Sequence, residues 1–336
     1  MPMSNSHIAI SGKSGYGTYS IGTALNSFYG SDIKVPDYGA VITGGNVIFG
    51  ASNPETVARL NTELKLGLTA AELASITTTQ SSVKSDRFGV MVWNQNPTES
   101  NTLKIMDGTV FETGEAVIVD RGAAAVIDVD GSKGAQLKSG NGIILQMMDL
   151  DKAPSVVANG KSSTTGVYHE LPVPAVKVKD FDVTLSHTSD VSANFNQIAL
   201  KGDFYNGISA SSVGAPNSTP PSGKNLVLKF DQSSITGVIT ASVARHSKDP
   251  LTSADYKLVS EVKNTPGAAV NNGVIVSLFR STWTVTGTSY LTCLTIGDGS
   301  SVAAPKGSKL ILTVDGVAKP VKAGAYQGAI VLTVEK

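Results

Sequence analysis

Residues 115–129 read EAVIVDRGAAAVIDV. Two short apolar runs, 115–120 and 124–129, meet across an Asp-Arg-Gly break. Short β-branched runs bounded by turn residues are strand signals. The neighbourhood repeats the pattern. GVMVW (89–93), TLKIM (102–106) and GIILQMM (142–148) are separated by NQNPTESN, DGT and DGSKG. Residues from Phe88 to Met148 therefore read as a compact β-sheet or barrel.

Upstream of these strands lies a helical segment. Asn53 is a candidate N-cap and Pro54 suits the first turn. Val57, Leu60, Leu64 and Leu66 recur at helical spacing, and Gly67 stops the helix. Thr69-Ala-Ala-Glu72 is a capping box that opens a second short helix through Ile76. The second helix carries no Arg, Lys, Asn or Gln in its first turns, so the pair reads as a packing element and not as a DNA reader. Helices and strands together define a small α+β domain over 51–150.

Residues 151–172 are polar and glycine-containing and read as a linker. Beyond Val173 come FDVTLSH (181–187), NLVLKF (225–230), GVITASVA (237–244), YKLVSEV (256–262) and GVIVSLF (273–279). SYLTCLTI (289–296), KLILTV (309–314) and YQGAIVLTV (326–334) complete the series. Strands punctuated by Gly, Pro, Asn and Ser predict an immunoglobulin-like β-sandwich over 173–336, in one or two modules. Alternation places Tyr326, Gly328, Ile330, Leu332 and Val334 on its inner face. The stretch 207–224 reads as an exposed low-complexity loop. No internal repeat is evident.

The first fifty residues contain glycines at 12, 15, 17, 22, 30, 39, 44, 45 and 50, with Tyr16, Tyr19, Phe28, Tyr29, Tyr38 and Phe49 at intervals. They read as an extended arm over 1–50 that cannot bury its aromatics alone and folds against a partner subunit or packs on the chain's own domain. Within it, Gly12-Lys13-Ser14 ends like a phosphate-binding loop. A P-loop needs a first glycine five residues earlier and a helix after it. Here His7 holds the glycine's place, and SGYGTYSIGTAL follows without a helical stripe. Nucleotide binding is not expected.

The chain of 336 residues has zero net charge and only 16% charged residues. An average globular protein has roughly 25%. Zero net charge gives no overall attraction to nucleic acid or an anionic membrane. No run approaches ~18 apolar residues, and the N-terminus lacks a signal-peptide pattern. With one cysteine, Cys293, no internal disulfide forms, which suits maturation in a reducing cytoplasm.

Catalytic signatures are sparse. His7, His169, His187 and His246 make no HExxH pair, and no G-x-S-x-G occurs. DVDGSKG (128–134) offers Asp128 and Asp130 at calcium-loop spacing but lacks the glycine and closing acid, so it reads as a hairpin turn, as does GDGSS (297–301). Trp93 and Trp283 sit among apolar strand neighbours and read as core, although exposed tryptophans could stack on sugar. Cys293 reads as a small buried hydrophobe. A polysaccharide-cleaving pair of carboxylates is the remaining enzymatic option. The sequence expectation is no catalytic, cofactor or metal residue.

Two resemblances follow. In PVKAGAYQGAIVLTVEK (320–336), Ala323, Gly324, Tyr326, Gly328, Ile330, Leu332 and Thr333 resemble the closing strand of bacterial fimbrial subunits. That likeness covers about 15 residues and implies an adhesin that binds partner subunits or host glycan. In overall style, with a glycine-rich arm, a helix-plus-strand domain and immunoglobulin-like modules, the chain resembles tailed-bacteriophage virion proteins. That resemblance implies a non-enzymatic protein assembled in the host cytoplasm into a virion. It would decorate or cement the capsid, or join the tail, through contacts with major capsid or tail proteins and with copies of itself. A host-surface glycan is a further candidate partner, and neither nucleic acid nor membrane is expected.

Overall fold

The computed structural model describes residues 2–50, 54–63, 65–75, 80–93, 101–148, 156–158, 161–163, 167–168, 180–209, 223–249, 251–258 and 260–336. The chain winds in successive coils. Coil 1 is β1 (Pro2–Ser4), β2 (His7–Ala9) and β3 (Tyr16–Ile21). Coil 2 is β4 (Leu25–Tyr29), β5 (Asp32–Val35) and β6 (Tyr38–Thr43). Coil 3 is β7 (Asn46–Phe49), β8 (Ser82–Ser85) and β9 (Phe88–Trp93), with α1 (Pro54–Glu63) and α2 (Ala70–Ser75) inserted after β7. Coil 4 is β10 (Asn101–Ile105), β11 (Val110–Thr113) and β12 (Ile118–Arg121). Coil 5 is β13 (Ala125–Asp130), β14 (Gln136–Ser139) and β15 (Ile143–Met148).

An excursion then carries the small strands β16 (Val156–Ala158), β17 (Lys161–Ser163) and β18 (Val167–Tyr168). Coil 6 is β19 (Val191–Asn196), β20 (Ala199–Lys201) and β21 (Asp203–Ser209). Coil 7 is β22 (Leu226–Asp231), β23 (Ser234–Gly237) and β24 (Ile239–His246). A second excursion holds β25 (Leu251–Thr252), a 3-10 turn (Ser253–Leu258) and β26 (Val262–Pro266). Two narrow coils follow: β27 (Val274–Phe279) with β28 (Thr282–Val285), then β29 (Ser289–Ile296) with β30 (Ser301–Ala303). β31 (Lys309–Val314), β32 (Val317–Lys319) and β33 (Gly324–Glu335) close the chain.

Corresponding strands of successive coils pair in parallel and stack into three faces. The first face is a single sheet of 12 strands, from β1 to β29 and then β33, β31 and β32. The third is an 8-stranded sheet ending in β26. The second is split into a 5-stranded sheet, β2 to β14, and a 4-stranded sheet, β20 to β30. This is a parallel β-solenoid. At the C-terminal end β33 and β31 pair antiparallel and cap the first face.

Inward positions make the core. Val47, Leu103, Ile127, Ala193, Leu228, Val276 and Leu294 stand in register along the first face and are all buried. The next inward column is Phe28, Phe49, Ile105, Val129, Phe195, Phe230, Leu278 and Ile296. Within it Phe28 stacks on Phe49 at 5.3 Å, and Phe195 on Phe230 at 5.3 Å. Parallel, in-register stacking puts like side chains over like, which keeps each column continuous.

The corner after the first face repeats a device. Asn5, Gly30, Asp107, Gln197, Gln232 and Arg280 hold left-handed backbone there. A serine column follows. The Ser6 N–H donates to Ser31 Oγ and the Ser31 N–H to Ser81 Oγ. Further along, the N–H groups of Ile198, Ser233 and Ser281 donate to the hydroxyls of Ser233, Ser281 and Ser300. These hydroxyls satisfy backbone donors that the sharp corner takes out of the sheet ladder. At the second corner, glycines permit close stacking. A Cβ on Gly39 would stand 2.6 Å from the Gly89 carbonyl oxygen.

Several sequence expectations are corrected. The immunoglobulin-like sandwich over 173–336 is not present, because β19, β22, β27 and β29 pair in parallel in one sheet, whereas a sandwich needs antiparallel pairing. The extended arm over 1–50 is the first two coils and the start of the third, and Phe28, Tyr29, Tyr38 and Phe49 bury in this chain's own structure. The 51–150 region is no separate domain, since β10 pairs with β7 and β13 with β19. FDVTLSH is a turn, because Asp182 Oδ1 accepts the Thr184 N–H and hydroxyl and competes with the ladder. YKLVSEV starts in the 3-10 turn, and among its described residues only Val262 enters a strand.

Other readings hold. The capping box closes as expected: Glu72 accepts from the Thr69 N–H, and Thr69 Oγ1 from the Glu72 N–H. Leu66, Leu68 and Leu73 of the helical insertion pack on Tyr29, Ile48 and Met106 outside the first face. Ile330 and Leu332 are buried, as alternation of the last strand required. Asn53, Ile76, most of the 151–172 linker and most of the 207–224 loop lie outside the described residues.

Candidate functional site

The Gly12-Lys13-Ser14 stretch forms a turn, with the Gly15 N–H donating to the Gly12 carbonyl, and strand β3 follows where a phosphate loop would need a helix. Asp128 accepts from Asn194 Nδ2 at 2.8 Å and faces Lys104. Asp130 accepts the Ser132 N–H, so both acids are engaged by their own neighbourhood. Among the described residues no three His, Cys, Asp or Glu side chains gather around a point. No described helix is long and apolar enough to cross a membrane.

Trp283 is buried, and its Nε1–H donates to the Gly237 carbonyl. Trp93 is half-buried under the Arg121 guanidinium at 5.2 Å. Cys293 is half-buried, and its thiol donates to the Thr184 carbonyl. Burial, then Asp182, pushes that thiol's pKa up, which disfavours a nucleophilic thiolate. His187 stacks on Phe181, His246 is buried, and His7 is exposed; His169 lies outside the described residues.

One ionic hub stands out. Arg87 pairs with Asp37 and, at 3.0 Å, with Glu261, and lies over the Tyr38 and Phe88 rings. The hub ties the second excursion to coils 2 and 3. Burial pushes the Tyr38 hydroxyl up to about 12, and nearby charges adjust it. Glu115 stands close by, with its pKa raised by burial and then by Glu261. Perturbed groups of this kind mark active sites or structural ion pairs. Arg87 is sandwiched and its partners are oriented inward, which is the structural pattern.

The exposed apolar groups are distributed unevenly. Coil 1 carries Ile10 (38% exposed), Tyr16 (41%), Tyr19 (43%) and Ile21 (55%). Tyr16 lies over Tyr38, and Tyr38 stacks on Phe88, so an aromatic row runs from the interior to the surface. Sequence reading found these tyrosines but assigned them, with the buried ones, to an arm.

The described residues also form recesses, two of which lie at breaks in regular pairing. One, of about 340 Å³, lies beside the bulge in β33, lined by Tyr290, Leu291, Asp315 and Ala329. The other, of about 640 Å³, lies over the break in the second face. Neither was legible beforehand, since both depend on how distant coils stack. Comparison with protein-family models, curated proteins and solved structures finds no match to this chain.

Proposed function

We propose that the protein is a non-enzymatic structural subunit of a tailed-phage virion, where it decorates or cements the shell or the tail. The observation that carries this reading is the concentration of exposed tyrosine and isoleucine on coil 1. Contiguous exposed apolar surface on a folded protein marks an interaction surface. Tyrosine is also a favoured interface residue, because it buries a large ring at little entropic cost. The solenoid supplies a rigid rod of about 40 Å, at ~4.8 Å per coil, that holds this surface away from the capped end.

The test is incorporation. Full-length protein carrying Tyr16→Ser, Tyr19→Ser and Ile21→Ser is supplied to particles that lack the native copy. The substituted chain, folded by circular dichroism, is expected to stay in the soluble fraction while wild type enters the particle. Equal incorporation of both overturns the reading.

A further inference from the structure

The second face is the only one interrupted between coils 5 and 6. On the first face β13 pairs with β19, and on the third β15 pairs with β21. Between them β14 ends one sheet and β20 begins another, with no ladder joining the two. The gap is pinned at both corners: the Gly131 N–H donates to the Asn196 carbonyl, and the Asp203 N–H to the Gly142 carbonyl, each at 2.8 Å. The two strands are therefore tethered at both ends but unpaired between them.

Parallel geometry says which groups face the gap. The N–H groups of Gln136 and Gly140 donate to Thr109 and Thr113, towards coil 4. Alternation turns the backbone of Leu137 and Ser139 the other way. On the opposite wall, Ile198 O accepts the Ser234 N–H and the Gly202 N–H donates to Thr236, towards coil 7. The backbone of Ala199 and Lys201 therefore faces coil 5. The backbone of these four residues borders a slot that opens into the cleft of about 640 Å³, with the Ser139 carbonyl already accepting the Gly142 N–H.

The cleft rim supplies Lys138, Lys201, Ser139, Thr236 and Thr286. Lys138 shares Glu112 with Lys84 at 3.6 Å and 3.8 Å, and Asp203 is occupied by the Tyr205 hydroxyl and the Val238 N–H. Both lysine side chains are exposed. No aromatic ring lines the cleft, so the stacking that usually holds neutral sugars is absent. A ligand here must offer many groups that both donate and accept, together with negative charge.

We propose that the seam between β14 and β20 binds an acidic oligosaccharide. Its hydroxyls would pair with the unladdered backbone of Leu137, Ala199 and Lys201 and with the Thr236 and Thr286 hydroxyls, and its carboxylates with Lys138 and Lys201. The site stands apart from coil 1, so it holds whether or not the protein joins a particle.

Titration calorimetry of the full chain at low salt tests this, with tetragalacturonic acid as the acidic probe and maltotetraose as the neutral one. The expected result is binding of the acidic probe only, weakened by added salt, and weakened at least about tenfold in Lys138→Gln/Lys201→Gln. Lys319→Gln, on the distant cap, is expected to bind as wild type. No binding of the acidic probe, equal binding of both probes, or an unchanged double variant would each overturn the proposal.

Discussion

Replacing Ser233 by alanine isolates the serine column. Ser233 is buried; its Oγ accepts the Ile198 N–H at 3.2 Å and donates to the Asp231 carbonyl at 2.8 Å. Alanine removes both bonds and leaves the Ile198 donor in a corner with no ladder partner. A buried donor without a partner costs about 1–3 kcal/mol. The neighbouring Ser234 is exposed, so Ser234→Ala is expected to change stability by less than about 0.5 kcal/mol. Because coil stacks need not unfold in one step, native-state hydrogen exchange is the appropriate assay. Amides near Ile198 should exchange about 5- to 150-fold faster in Ser233→Ala than in Ser234→Ala. Indistinguishable exchange in the two variants would refute the claim that these hydroxyls hold the corners.

Three further outcomes are expected. Gly39→Ala places a Cβ 2.3 Å from Val83 Cγ1 and 2.6 Å from the Gly89 carbonyl, so a loss of about 1–3 kcal/mol or more is expected in urea melts, while Gly12→Ala, with nothing within 4 Å, should be tolerated. Arg87→Ala strands buried Asp37 and should cost about 3–5 kcal/mol, with limited proteolysis cutting first in the 247–261 excursion. Glu115 is raised in the folded state, so it favours folding below its ordinary pKa of 4.5, and that contribution is lost as pH rises through the folded value. Glu115→Gln should therefore gain stability over wild type at neutral pH, and the gain should vanish below pH 4.5, as thermal melts across pH would show.

Strand content was legible from β-branched runs and turn residues; the solenoid was not. The repeat is present in the letters. SDIKVPDYGAVI (31–42) and SSVKSDRFGVMV (81–92) align residue for residue, and they stack in register as β5 on β8 and β6 on β9. The helical insertion separates them by 50 positions, the difference of 81 and 31, whereas Asn101 and Ala125 of adjoining coils are only 24 apart. Insertions on several coils erase a fixed period, which is the usual sign of a solenoid. A second obstacle is physical. Strand alternation looks the same whether the partner runs parallel or antiparallel, so nothing local in FDQSSITG (230–237) or LFRSTWTV (278–285), each one corner of a coil, tells a coil from a hairpin. The columns Tyr16-Gly17, Tyr38-Gly39 and Phe88-Gly89 were the clearest available signal, an aromatic next to a glycine at the second corner of coils 1 to 3. Polar site chemistry was less legible, because the seam between β14 and β20 arises from an unpaired pair of strands and not from any motif.

The most direct test of the structural role is made on the native source. Particles banded on a density gradient are searched, fraction by fraction, for peptides of this chain by quantitative mass spectrometry. The account predicts many copies in the DNA-containing particle band. Peptides confined to the soluble or cell-surface fractions would contradict it.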